Sequence, residues 1–274
     1  MSDTSVQVFT KPELIQKFHE IESLGWVECR HQGSNADIGS TLESLLGIEE
    51  NNLPIPNASE WELKTQRVGT VSLVTLFHCE PSPTALKFVV NMLLPQYGWQ
   101  HKSAGVRYPE TEMSFRQTIS AKKRSDRGFT VVVNRKEKKV QISFDAKSVE
   151  KRHAEWLNSV EERVGLADLQ PQPYWGFRDL EHKVGIKLKD MFFVLAETKR
   201  LNGKDYCHYY NVLMLRDFSF KAFLRAIEDG NVLIDFDSRT GHNHGTKFRL
   251  RQNCFTNLYS TVETVLHNPR LLQD

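Results

Sequence analysis

Leu53-Pro54-Ile55-Pro56-Asn57-Ala58-Ser59-Glu60-Trp61-Glu62-Leu63-Lys64 is the stretch whose reading decides the fold, with Glu62-Leu63-Lys64 set five residues behind Asn57. In an extended strand successive side chains alternate faces, so Glu62 and Lys64 point one way while Trp61 and Leu63 point into an apolar side. A carboxylate and an ammonium on one face can hold a divalent cation and orient a water beside it. An upstream acid at the start of the same strand or hairpin would complete such a site, because Mg²⁺ prefers one or two carboxylates plus phosphate oxygens and retained waters. The chemistry that follows is metal-assisted in-line displacement at phosphorus. On the tripeptide alone the plainer reading has the better claim, since E-x-K is common in surface strands as a solvated pair.

The 274 residues suffice for one large or two modest domains, and the formal net charge of +2 with a pI near 8.3 is too mild to argue for nucleic acid without local clustering. Cys29, Cys79, Cys207 and Cys254 are scattered without C-x-x-C spacing, which fits reduced thiols and argues against a disulfide framework or structural zinc. Met1-Ser2-Asp3-Thr4-Ser5 is polar and no run of eighteen apolar residues occurs, so a cytoplasmic protein that makes no membrane contact is expected.

Around the opening stretch, helical spacing of Leu14, Ile15, Phe18, Ile21 and Leu24 predicts an amphipathic helix closed at Gly25. The polar run Ser34 to Thr41 reads as a loop capping a helix from Leu42 to Leu46, with Glu43 in its first turns. Trp61 to Lys64 and Gly69 to Phe77 read as strands, and Thr84 to Leu94 as a helix. Between Arg116 and Lys139 nine Lys or Arg face two acids, a local excess of seven positive charges. Much of it sits on the turn of a predicted hairpin, Phe129 to Asn134 with Val140 to Phe144. Such a hairpin suits phosphate-backbone contact, with a solubilising turn as the equal alternative. A helix from Ser148 to about Val164 precedes Asp168-Leu169-Gln170-Pro171-Gln172-Pro173, which reads as a domain boundary. The expected division is 1–168 and 169–274, with interleaving left open. Met191 to Glu197 and Val232 to Asp237 are expected strands, and Phe218 to Asp229 an amphipathic helix.

Asp237-Ser238-Arg239-Thr240-Gly241-His242-Asn243-His244-Gly245-Thr246-Lys247-Phe248-Arg249 is the second loaded run. An H-x-H pair on one strand face can bind metal, but no third ligand stands at a familiar spacing. A base-reading loop is the alternative, since Arg pairs bidentately with guanine, Asp accepts from cytosine N4 and His donates to purine acceptors. A turn whose groups satisfy one another is the third reading.

Asn51-Asn52-Leu53, Glu62-Leu63-Lys64, Ser72 to Phe77, Phe115 to Ile119, Tyr174-Trp175-Gly176-Phe177 and His242 to Arg249 occur in the order of one family. Over roughly residues 10 to 255 the chain resembles the MvaI/BcnI family of type II restriction endonucleases, relatives of the mismatch-repair nicking enzyme MutH. The resemblance implies an α/β (α+β) fold: a PD-(D/E)xK core of mixed sheet flanked by helices, with a second recognition lobe that forms a clamp around duplex DNA. It implies a catalytic lobe within 1–168, a DNA-recognition lobe within 169–274, and a monomer using Mg²⁺ or Mn²⁺ that cuts one strand at a time within a CC-x-GG-like pseudopalindrome. A cognate methyltransferase in the same system, out of contact, is expected as well.

By the resemblance Glu62 is the central metal ligand, Lys64 the catalytic lysine, and Glu43 an auxiliary acid, with Leu63 in the metal site. His242, His244 and Arg249 approach bases, with Arg239, Asp235 and Asp237 as neighbours. Lys122, Lys123, Arg124, Arg127 and Lys136 are the expected backbone contacts. Asn57 falls where the family has its metal-binding aspartate. Three accounts of that amide compete: a deliberate Asp-to-Asn change that traps uncut DNA, which is favoured; a natural variant compensated by Glu60 or Glu43; or a binding protein without catalysis. A non-catalytic DNA-binding module and a MutH-like repair nickase are the rival functions.

Overall fold

The computed structural model describes residues 9–33, 37–48, 61–70 and 73–268, so Asn57 and Glu60 lie outside the described residues. The chain forms two compact units, the first drawn from Met1–Ser72, Val184–Ser219 and Phe255–Asp274, the second from Leu73–Lys183 and Phe220–Cys254. Both are mixtures of helix and sheet.

In the first unit, the helix Lys11–Ser23 starts at a capping box. Thr10 and Glu13 bond reciprocally, and Glu13 Oε2 accepts the Thr10 N–H at 2.7 Å. It ends before Gly25, whose φ of 67° supplies the left-handed turn. The second helix runs Asp37–Leu46, five residues longer at its start than the polar run Ser34 to Thr41 suggests. Ser40 and Thr41 are absorbed because their hydroxyls donate back to the Asp37 carbonyl at 3.2 and 2.6 Å, which removes the usual penalty of polar side chains inside a helix.

These helices cover one face of a five-stranded sheet ordered Val27–Glu28, Lys204–Phe218, Met191–Leu201, Glu62–Arg67, with Tyr259–His267 also on Lys204–Phe218. Only Glu62–Arg67 against Met191–Leu201 is parallel, Leu63 standing beside Phe192. Trp61, Leu63, Phe192 and Val194 therefore share the covered face and pack with Leu14, Phe18, Ile21, Ile38, Leu42 and Leu46. The Phe192 ring lies 4.7 Å from that of Trp61 and 5.1 Å from that of Phe18.

The second unit has a six-stranded antiparallel sheet ordered Val74–His78, Lys247–Leu250, Val232–Arg239, Met113–Ile119, Trp99–Gln100, with His242–Asn243 folded back on Val232–Arg239. A three-stranded sheet, Arg127–Asn134, Lys139–Val149 and Tyr174–Gly176, contains the hairpin expected from sequence, with Asn134 opposite Lys139. Its core is aromatic: Phe115, Phe129, Phe144, Tyr97 and Trp156 in one cluster, Phe77, Phe248, Phe223 and Trp175 in another. The expected helix Thr84 to Leu94 is instead a short 3-10 turn, Thr84–Leu86, followed by a wide helical turn, Val89–Leu93, and the α-turn Leu94–Tyr97. Lys87, at φ 46°, separates the first two. The basic hairpin thus belongs with the His242 to Arg249 region, whereas a break at 168/169 groups it with Glu62-Leu63-Lys64. Among the described residues no helix is long and apolar enough to cross a membrane.

All four cysteines are free, and Cys29, Cys207 and Cys254 are buried. Burial first, and then the neighbouring Cys207, pushes the Cys29 thiol up to about 12. Burial likewise raises Cys79, Cys207 and Cys254. Because the thiolate is the reactive form, Cys29 should react at pH 8 roughly a thousandfold more slowly than a free thiol. Titration with a chromogenic disulfide should therefore release little colour from the native chain and four equivalents in guanidinium.

Candidate active site and base-reading face

Glu62 opens its strand next to Asp190, whose carbonyl accepts the Glu62 N–H at 3.0 Å. Its side chain is 2% exposed, on the face opposite Trp61 and Leu63. Lys64 shares that face, and its Nζ donates to Glu62 Oε1 at 2.5 Å. Glu62 Oε2 is fully buried and accepts no hydrogen bond from the described residues, while Lys187 Nζ, at the end of the helix Phe177–Lys187, stands 4.0 Å from it. A buried carboxylate oxygen with no donor keeps lone pairs that a hard cation could take.

The ladder supplies a second oxygen. Glu62 and Val68 direct their N–H groups to the neighbouring strand, at Asp190 and Ala196. Backbone groups of alternate residues face opposite edges, so the Leu63 carbonyl points to the side on which no described strand pairs. A carboxylate and a carbonyl fit a hard divalent ion. Among the described residues no three His, Cys, Asp or Glu side chains cluster to hold a metal, and Asn57 is outside them.

Helix Asp37–Leu46 lies across the other face of this strand. Asp37, 1% exposed, accepts from Arg67 Nη2 at 2.9 Å on each carboxylate oxygen, and its Oδ1 also accepts the Ile38 N–H at 2.6 Å. A Cβ on Gly39 would stand 3.3 Å from Thr65 Oγ1, so glycine sets how closely helix and strand approach. Glu43, half-buried, comes one turn after Gly39 and so lies on the strand-facing side. Tyr259 lies nearby: burial first, and then the charges of Glu62 and Asp190, raises its phenol well above 10. The sequence reading missed Lys187, Arg67 and Asp37, because only the fold brings them to this strand.

In the second unit Val232–Arg239 alternates faces. Ile234, Phe236 and Ser238 are buried, and Asp235, Asp237 and Arg239 lie on the other side. Asp235 accepts from Thr118 Oγ1 at 2.7 Å and lies 3.4 Å from Arg249 Nη1. Asp237 stands 3.2 Å from Arg116 Nε and 3.3 Å from Lys247 Nζ. Arg239 is 2.9 Å from Glu112 Oε1, with its guanidinium 4.6 Å from the centre of the Tyr108 ring. The six residues expected to read bases thus fall on one sheet and its turn, and Arg116 and Lys247 join them. Their alternation with Phe115, Gln117 and Phe248 was the available signal.

His242 and His244 are exposed, their rings 4.2 Å apart. Glu80 fixes their turn: it accepts from the Thr246 N–H at 2.9 Å, Thr246 Oγ1 at 3.0 Å and Asn243 Nδ2 at 3.3 Å. The expected backbone contacts divide. Lys122, Lys123 and Lys136 are exposed. Arg124 is occupied by the Gly128 carbonyl at 2.8 Å, and Arg127 stacks 4.0 Å from the Trp99 ring centre, so neither is held out to solvent.

A buried acid and a half-buried lysine on one strand face, with a two-helix cover and a separate polar sheet of alternating acids and bases, are the arrangement expected of a nuclease. The model of the MvaI/BcnI restriction endonuclease family matches residues 15–259. The chain belongs to that family, and its class is accordingly that of type II site-specific deoxyribonucleases. Among solved structures it is similar to one titled "Restriction endonuclease MvaI-cognate DNA substrate complex", with a TM-score of 0.75 and 23% identity, covering 94% of this chain and 100% of that one. A second, "Restriction endonuclease MvaI in the absence of DNA", has a TM-score of 0.52 and 22% identity, covering 95% of this chain and 100% of that one. No curated protein matches.

Glu80→Ala would leave the N–H and hydroxyl of Thr246, which is 0% exposed, without their acceptor, at about 1–3 kcal/mol each. The expected outcome is at least tenfold poorer discrimination between duplexes differing by one base, partly restored in Glu80→Gln, with binding to mixed-sequence DNA little changed. Competition binding measures it.

Proposed function

We propose that this endonuclease cuts double-stranded DNA with Mg²⁺, or Mn²⁺ in its place, as a cytoplasmic monomer acting on a short G·C-rich site of the CC-x-GG kind. The observation that carries the catalytic half is Glu62 Oε2, buried and without a donor beside Lys64. In this reading Glu62 and the Leu63 carbonyl hold the ion and position 57 supplies the remaining side-chain ligand, while Glu43 adds negative charge only at a distance, from the helix behind the strand. A bound divalent ion supplies Lewis-acid stabilisation of the charge that builds on the phosphoryl oxygens and makes its water more acidic.

Lys64 orients the attacking water and offsets the charge of Glu62. Lys187 places a second positive charge 4.0 Å from the other oxygen. Catalysis is proposed to sit in the first unit. Base recognition is proposed for the second, with Arg239, Arg249, His242 and His244 as donors, Asp235 and Asp237 as acceptors, and Lys122, Lys123 and Lys136 on phosphates. Guanine-rich strands match that surplus of donors. A cognate methyltransferase would protect host DNA without touching this chain.

Asn57 contributes an amide oxygen but no charge, so the chain as written is proposed to bind its target and cut it poorly. A second reading, DNA binding without catalysis, rests on the same residue. Plasmid nicking with Mg²⁺ separates them. Asn57→Asp is expected to cut more than about a hundredfold faster than the unmodified chain, since even outer-shell partners are worth roughly 10–100-fold. If neither chain cuts under any Mg²⁺ or Mn²⁺ concentration, the catalytic reading is wrong. Lys187→Ala in the Asn57→Asp background should lower single-turnover cleavage at least tenfold and leave duplex affinity in EDTA unchanged; equal rates would remove Lys187 from the site.

A further inference from the structure

The turn that joins Trp99–Gln100 to Met113–Ile119 emerges from the same end of the sheet as Arg239 and the His242 turn, since Trp99 pairs with Ser114 and Ser114 with Arg239. It is a built object. The Ser103 carbonyl accepts from the N–H groups of Val106, Arg107 and Tyr108 at 3.3, 2.9 and 3.2 Å. The Ser103 N–H donates to His101 Nδ1 at 3.1 Å, and Gly105, at φ 74°, donates to the Tyr108 carbonyl at 2.9 Å. The His101 ring meets Tyr108 edge-on at 4.9 Å. Tyr108 in turn carries the Arg239 guanidinium on its face, and the Met113 N–H donates to Thr240 Oγ1 at 3.0 Å. Turn and base-reading strand are therefore locked together.

What this rigid turn holds out is Val106, 91% exposed, with Lys102 and Arg107 exposed beside it. Among the described residues neither cation has an ion-pair partner, whereas Arg116, Arg124, Arg127, Arg135 and Lys139 of the basic segment all do. Glu112 is spent on Arg239, leaving Glu110 as the one exposed acid of the turn. A single exposed valine is unremarkable on a surface. Here it is preorganised at a tip, flanked by free cations and mechanically tied to a guanine-reading arginine. Ordering such a turn in advance removes the entropy that a flexible loop would lose on binding.

We propose that the Ser103–Tyr108 turn is a second DNA-contacting element, with Lys102 and Arg107 on backbone phosphates and Val106 against base edges or a base step beside the Arg239 contact. It rests on the reading of the second unit as the base-reading one. Apolar tips of this kind act as wedges or pack on thymine methyl groups, and flanking cations set their register on the duplex.

The test uses the full chain in EDTA and a 40-base-pair duplex pool of mixed sequence. A photoreactive maleimide is attached at Val106→Cys, at Lys122→Cys as an independent proposed backbone contact, and at Leu201→Cys, an exposed site of the first unit. The unsubstituted chain gives the background from its own cysteines. Crosslinking at 106 at least fivefold above background and above 201 supports the proposal. Crosslinking at 122 with 106 at background overturns the proposal and leaves DNA recognition by this unit standing. Background at every position overturns both.

Independently, in Lys102→Ala/Arg107→Ala, the slope of log affinity against log salt should fall by about 1.8 for two lost phosphate contacts, and Val106→Asp should weaken binding at least tenfold. An unchanged slope together with unchanged Val106→Asp affinity would sink the proposal. Because Val106 is 91% exposed, neither result can be ascribed to a lost core contact.

Discussion

Glu62 takes a carboxylate almost wholly out of water, and the surrounding structure is arranged to offset that cost. Removing one charged group from solvent costs several kcal/mol even after relaxation, so the site must return it through partners. Lys64 supplies one from the same strand and Lys187 another from a helix end. The strand that carries Glu62 is in turn held from behind. The bidentate Asp37 to Arg67 contact and the close approach at Gly39 fix helix Asp37–Leu46 across it, and Trp61 and Leu63 seat it in the aromatic core. The carboxylate oxygen without a donor is thus built by a whole layer of the fold rather than by a tripeptide.

That layering explains which parts were legible in the sequence. Alternation across Trp61-Glu62-Leu63-Lys64 gave the faces of the strand, and the basic hairpin was legible as a turn between two β-branched runs, although Lys139, read as part of the turn, pairs with Asn134. Long-range pairing was not legible. Asn202-Gly203, both at positive φ, turn Met191–Leu201 into Lys204–Phe218 and were a local signal the sequence reading passed over, but nothing local links Lys204–Phe218 to Tyr259–His267, and His208 is a polar residue buried within its strand. Lys187 stands 125 residues beyond Glu62, too far for any local pattern to link them. Asp37 looked like a loop residue because Ser40 and Thr41 are poor helix formers unless their hydroxyls turn back on the backbone.

The reading face shows a different economy. Its acids and bases are already paired, Asp235 with Arg249 and Thr118, Asp237 with Arg116 and Lys247, Arg239 with Glu112. If this is the face that meets bases, as proposed, contact would exchange these bonds rather than add to them, and a wrong sequence would leave polar groups worse paired than before. The lysines proposed for phosphates, Lys122, Lys123 and Lys136, are exposed.

The interleaving of the two units also bears on the order in which a ribosome can deliver them. The second unit has all its strands once Cys254 has been made, whereas the sheet that holds Glu62 also takes Tyr259–His267, its final described strand, against Lys204–Phe218. During synthesis the first unit's sheet therefore closes last, after the second unit's strands are complete. A translation product that stops short of Tyr259 would carry the strands of the second unit whole while the sheet that holds Glu62 lacked one of its own.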